Sequence, residues 1–141
     1  MKQEKIRKKL KAAGLRITPQ RLVVFENLLK NREHPSADNL IEIIKVDHPN
    51  IAIGTIYSIL ESFVKKKLIV KINTEKNVVR YDAITRNHHH LYSTKTDKIE
   101  DYFDDDLNKI IEDYISTMNI PNFKIVDYKL QLMGEFKNSK K

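Results

Sequence analysis

The chain has 141 residues, a formal net charge of +7 and no cysteine. That length holds one domain or two small lobes sharing a core. The lack of cysteine excludes a disulfide framework, a thiolate zinc site and a cysteine nucleophile. The charge is unevenly spread, with 17 Lys and Arg against 8 Asp and Glu through residue 80 and 9 against 11 beyond it, so the front half suits a polyanion and the back half does not.

In chain order, a basic helix is predicted from Lys2 to Ala13, ended by Gly14. Thr18-Pro19 then supplies an N-cap and a first-turn proline for a second helix, with Leu22, Phe25, Leu28 and Leu29 as its buried stripe. Ser36 caps a third, whose stripe is Ala37, Leu40, Ile41 and Ile44, and His48-Pro49 breaks it. A fourth helix runs from about Gly54 to Lys66, with Ile56, Ile59, Leu60, Phe63 and Val64 on one face and Thr55, Tyr57, Ser58, Glu61 and Ser62 on the other. The period then becomes strand-like: Leu68 to Asn73 and Val78 to Asp82 flank the polar turn Thr74 to Asn77 and read as a β-hairpin. Helices followed by a hairpin give a winged helix-turn-helix, whose last helix enters the major groove while basic residues fix register on phosphates. Thr55, Tyr57 and Ser58 are the candidates for base contacts, and Arg16, Gln20, Arg21 and wing residue Arg80 for the backbone of double-stranded DNA.

Residues 83 to 87 read as a hinge between a DNA-binding lobe, 1 to 82, and a second lobe, 88 to 141. In that second lobe His88 to Thr94 and Lys98 to Phe103 are predicted strands. Asp104 to Asp106 open a helix, Leu107, Ile110, Ile111, Tyr114, Ile115 and Met118 follow its period, and Pro121 is expected to end it. A final strand with a bulge is expected from Phe123 to Met133. The fold class is therefore α+β, a winged helix-turn-helix followed by a small α/β lobe. Its open sheet edge and apolar helix face favour burial against a second copy, a homodimer.

Three of the five histidines form the run His88-His89-His90. In a strand, residues two apart share a face, so His88 and His90 can bind one ion together while His89 faces away. Asp82 at the end of the wing and Asp101 on the neighbouring strand can each bring an oxygen. His34, between the second and third helices, lies beside the DNA-binding lobe without belonging to its core. These five residues would clamp the hinge and couple metal occupancy to the pose of the lobes, and so to DNA affinity. Nitrogen and carboxylate donors without sulfur favour iron(II) or manganese(II), with zinc able to bind in vitro. His48 and His89 read as structural or surface residues.

The motifs GLRITPQR (Gly14 to Arg21), HPSADNL (His34 to Leu40), PNIAIGTIY (Pro49 to Tyr57), RYD (Arg80 to Asp82), NHHHLY (Asn87 to Tyr92) and DKIEDY (Asp97 to Tyr102) occur in this order and spacing. Together they resemble the ferric uptake regulator (Fur) superfamily of metal-dependent dimeric repressors, over about Arg7 to Gly134. The resemblance implies a regulatory metal on His34, Asp82, His88, His90 and Asp101. Iron-uptake regulators typically carry glutamate where this chain has Asp82 and Asp101, whereas peroxide-responsive repressors carry aspartate at both. The resemblance therefore implies a peroxide sensor in which iron(II) reacts with hydrogen peroxide, His34 and His88 are oxidised, and DNA is released. The manganese form would bind DNA and resist peroxide.

Several positions depart from the family pattern. The two CxxC pairs that usually hold a structural zinc fall on Ser93, Thr96, Phe136 and Ser139, so no structural zinc is expected and Phe136 is placed to fill the vacated space. A further family metal site falls on Asn87, His89, Asn108 and Tyr128. Ala52 replaces the usual serine before the recognition helix, and Ser58-Ile59 a commoner Arg or Asn pair. Two other function classes compete with this reading. A metallohydrolase would need a further acid–base constellation, which is absent here, so no enzyme activity is expected; a metal-independent winged-helix protein would bind DNA despite a chelator. Within the family, an iron- or manganese-responsive repressor without peroxide sensing is the near alternative. With no stretch long and apolar enough to span a bilayer, and a start, MKQEKIRKKLKAAG, that lacks the apolar run of a secretory signal, the expected compartment is the cytoplasm, without a membrane partner.

Overall fold

The computed structural model of the chain describes residues 2–31, 33–83 and 88–137. It divides into two compact units, Met1–Arg86 and Asn87–Lys141. Of the expected hinge only Ala83 is described, packed against the front core; residues 84–87 lie outside the described residues.

The front unit begins with helix α1 (Lys2–Ala12). Its end is set by Gly14, whose φ of +80° is the left-handed conformation a side chain disfavours. Gly14 N donates to Lys11 O at 2.9 Å and Leu15 N to Leu10 O at 2.9 Å, the paired bonds that close a helix end and turn Leu15 into the core. Helix α2 (Pro19–Lys30) starts at the expected cap, with Arg21 N donating to Thr18 Oγ1 at 3.2 Å. Helix α3 (Ala37–Asp47) opens with a reciprocal capping box: Asn39 N donates to Ser36 Oγ, and Ser36 N to Asn39 Oδ1. Helix α4 (Ile53–Lys65) starts after Ala52, which makes no side-chain cap bond. Its core stripe, Ile56, Leu60 and Phe63, is fully buried with Leu10, Phe25 and Leu40, and Phe25 meets Phe63 edge to face at 5.6 Å between centroids.

The hairpin follows as β1 (Val70–Asn73) and β2 (Val79–Asp82), antiparallel, with Ile72 opposite Arg80. Leu68 and Ile69 belong to the core rather than to a strand: Lys67 takes φ +62° and Leu68 N bonds back to Phe63 O at 2.8 Å, so the helix end uses them. Against the far side of β2 lies the segment before α3, with Ser36 bridged to Arg80 and Tyr81 N donating to Pro35 O at 2.9 Å.

The back unit is a three-stranded sheet in the order β4-β3-β5, from β3 (His89–Ser93), β4 (Ile99–Tyr102) and β5 (Gln131–Gly134), with α5 (Asp105–Thr117) between β4 and β5. β3 pairs antiparallel with β4 and parallel with β5. Asp104 caps α5, accepting from Leu107 N at 3.0 Å.

Two elements of the back unit are clearly shorter than expected. Helix α5 stops at Thr117, before Pro121, because the Ser116 and Thr117 hydroxyls donate to the carbonyls of Asp113 and Tyr114 and satisfy the last turn. The strand expected over Phe123 to Met133 forms only at Gln131–Gly134. β3 offers four register positions on that side, from His90 to Ser93, and residues 123–130 lie outside them without a ladder, with Phe123 and Val126 exposed. The α5 stripe also splits: Leu107, Ile111 and Ile115 are half-buried, while Ile110, Tyr114 and Met118 are exposed. Among the described residues no helix is long and apolar enough to cross a membrane.

Candidate metal centre and nucleic-acid face

Each unit holds its own cluster of donors. In the front unit His34 is buried without being part of the hydrophobic core, and its Nε2 stands 3.8 Å from Asp82 Oδ2, which is also buried. The loop carrying His34 takes φ +59° there. Its backbone is held by β2: Arg80 Nε donates to His34 O at 2.7 Å and Arg80 Nη2 to Glu33 O at 2.8 Å.

In the back unit, antiparallel pairing puts His90 directly opposite Asp101. His88 precedes β3, two residues from His90, so both rings reach the same side. Their Nε2 atoms lie 3.4 and 3.6 Å from one oxygen, Asp101 Oδ1. The rings of His88 and His90 meet edge to face at 4.9 Å, and His88 stacks on Phe103 at 4.9 Å. Phe103 thus buttresses His88, a role that a short strand-end aromatic does not advertise in sequence.

These nitrogen–oxygen separations exceed a hydrogen bond. They are close to the spacing of about 3.0–3.4 Å between donors that each sit about 2.1 Å from one ion. Both clusters are nitrogen and oxygen only, with imidazoles held by packing, and this chemistry fits a divalent first-row metal.

His89 is not a surface residue. It is buried and hydrogen-bonded through Nε2 to Asn108 Oδ1 on α5, with the Tyr128 ring 6.0 Å away. Three of the four positions of the family's further metal site are therefore joined by a hydrogen bond and ring packing; the fourth, Asn87, lies outside the described residues. At the zinc-staple positions Ser93 is buried, its Oγ accepts from Thr96 N at 3.1 Å, and Phe136 lies under Lys98 Nζ at 5.0 Å; Ser139 lies outside the described residues.

On α4, Thr55, Tyr57 and Ser58 are all exposed. Tyr57 is oriented by Asp38 of α3, its hydroxyl donating to Oδ1 at 2.9 Å, and that bond raises the phenol pKa above its ordinary value. Arg16 and Gln20 are exposed, and Arg21 is half-buried with Nη1 donating to Arg16 O at 2.7 Å. Arg80 differs from these, since its guanidinium is turned into the His34 loop.

The sequence matches the model of the ferric uptake regulator family over residues 12–133. The chain belongs to the ferric uptake regulator family. It is therefore a metal-responsive regulator, and its mixed helix-and-strand architecture is that of the family. The peroxide-responsive repressor PerR of Staphylococcus aureus is 30% identical over 125 residues, covering 89% of this chain and 82% of that protein. The Campylobacter jejuni peroxide stress regulator shares the fold with a TM-score of 0.68 and 27% identity, covering 97% of each chain. The ferric uptake regulator of Pseudomonas aeruginosa, solved with manganese, superposes with a TM-score of 0.77 at 21% identity, covering 94% of this chain and 98% of that one.

Proposed function

We propose that this chain is a cytoplasmic, homodimeric, metal-dependent repressor that binds double-stranded promoter DNA and senses hydrogen peroxide. The observation that carries this reading is the pair of clusters built on aspartate, His34 with Asp82 and His88 with His90 on Asp101. The S. aureus and C. jejuni relatives, named for peroxide response, support it.

In this reading His34, Asp82, His88, His90 and Asp101 hold one regulatory divalent cation per subunit, iron(II) or manganese(II). The ligands come from both units, so occupancy favours one arrangement of the DNA-binding domain over others. Iron(II) held by these residues would supply redox catalysis that activates peroxide beside the imidazoles, with no net change in its own oxidation state, so the ring is the net source of both electrons. His34 and His88 are the oxidation targets: a ring carbon gains one oxygen atom, peroxide leaves as water, and two electrons pass from the ring. An oxidised ring is a poorer ligand, and the DNA-competent arrangement loses its support. Thr55, Tyr57 and Ser58 reach bases, and Arg16, Gln20 and Arg21 hold phosphates. The chain performs no catalytic turnover, and the exposed apolar face of α5 and β5, including Ile110, Tyr114 and Met133, is covered by a second copy.

The test is direct. The protein is loaded anaerobically with iron(II) or manganese(II), and its binding to a duplex selected from a random library is measured before and after peroxide. Added oxygen is then mapped by peptide mass spectrometry. The expected result is loss of DNA binding by the iron form only, with one oxygen on His34 or His88. Peroxide-insensitive binding by the iron form, with no oxygen on either ring, favours an iron- or manganese-responsive repressor instead.

A further inference from the structure

We propose that Arg80 is a positioning residue for His34, gripping the loop backbone so that the imidazole stays aimed at Asp82. The inference rests on the reading of His34 and Asp82 as metal ligands. His34 sits at φ +59°, a conformation that costs any residue with a β-carbon, so something must hold it there. β2 supplies several of the holding groups. Arg80 donates to two successive carbonyls, Glu33 O at 2.8 Å and His34 O at 2.7 Å. The next carbonyl, Pro35 O, accepts from Tyr81 N at 2.9 Å, and Ser36 bridges to Arg80. In a strand, residues two apart point the same way, so Arg80 and Asp82 serve one loop together. Arg80 holds its backbone, and the Asp82 carboxylate stands 3.8 Å from its imidazole.

The chemistry requires arginine. A rigid planar fork presents separate N–H groups to two carbonyls at once, whereas a lysine ammonium is a single point charge. The same residue read from sequence alone is a phosphate contact on the wing, and the two roles separate cleanly. A phosphate contact needs only the charge; the grip on the loop needs the fork.

The test uses the full chain as wild type, His34→Ala, Arg80→Lys and Arg80→Gln. Manganese(II) affinity is measured by competition with a fluorescent chelator. DNA affinity is measured at saturating manganese, across a salt series, on the duplex selected by the wild-type protein. Each variant is titrated well below its own unfolding midpoint, so that a destabilised variant is still compared in its folded form. The expected result is manganese affinity weakened by about 10- to 100-fold in both Arg80 variants, the range typical for residues that orient a ligand. DNA affinity at saturating metal and its salt slope stay as in wild type. Wild-type manganese affinity in Arg80→Lys overturns the proposal, as does Arg80→Gln losing only DNA affinity with a salt slope shallower by about 0.9. His34→Ala guards the premise: wild-type manganese affinity in that variant refutes the ligand reading itself. Loss there with intact Arg80 variants refutes only the positioning role.

Discussion

The buried pair His89 and Asn108 carries a prediction about the back unit. The two residues are 2% and 7% exposed, and the bond between them ties β3 to α5. Asn108→Leu keeps the bulk but leaves a buried imidazole nitrogen without that partner, and His89→Phe does the same to the Asn108 amide. Each loss costs about 1–3 kcal/mol, because a buried polar group forfeits its solvation without a bond in return. Removing both partners together leaves no stranded polar group, so the double variant is expected to be less destabilised than the sum of the singles, by about 1–3 kcal/mol of coupling. The suitable assay is native-state hydrogen exchange of the β3 and α5 amides at fixed protein concentration, which reads the opening of these elements themselves. A cost of 2 kcal/mol raises the open population by about 30-fold, since about 1.4 kcal/mol is tenfold. Single variants within about 0.5 kcal/mol of wild type, the range of a neutral surface change, or a strictly additive double variant, would refute the reasoning.

Two further predictions concern titration. The Asp104 carboxylate accepts from Leu107 N and, at 2.7 Å, from the Tyr102 hydroxyl; these bonds, the backbone one foremost, hold its pKa below the ordinary carboxylate value. A lowered folded pKa contributes stability that is present above about pH 4 and lost as pH falls through the folded value. Protection of the first α5 amides should therefore weaken on the acid side, and Asp104→Asn, which keeps an acceptor, should flatten that acid limb; an unchanged limb counts against Asp104 as its source. On α4, the raised Tyr57 phenol, held chiefly by its bond to Asp38, contributes stability below about pH 10 that is lost as pH rises through the raised value. Asp38→Asn should bring the phenol down in an alkaline ultraviolet titration and, on the proposed reading of Tyr57, weaken DNA binding several-fold. Tighter binding by Asp38→Asn would mean that the carboxylate only repels DNA.

Much of the fold was legible because its signals are local. Gly14, Thr18-Pro19, Ser36 and Asp104 act on groups within a few residues, and the structure has each at a helix end. The α4 stripe was readable from its period, since burying one face of a helix requires that spacing. The last strand is shorter than its sequence pattern for the opposite reason. Alternating apolar residues from Phe123 satisfy a strand pattern, yet a strand exists only beside a partner, and β3 pairs with Gln131–Gly134 alone.

The candidate donors divide along the same line. Residue type and spacing alone singled out His34, Asp82, His88, His90 and Asp101, because imidazoles two apart in a strand and flanking carboxylates are a pattern within the sequence. What holds them is not in that pattern. Arg80 and the His34 carbonyl are 46 residues apart in the chain, and Asp38 and Tyr57 are 19 apart, as are His89 and Asn108. The sequence by itself thus determined which side chains are available and how α2, α3 and α5 begin. The tertiary structure decided which are buried, which carbonyls Arg80 grips and how much of the final segment becomes strand. Those outcomes depend on partners distant in the chain, and a partner's position is set by packing rather than by spacing.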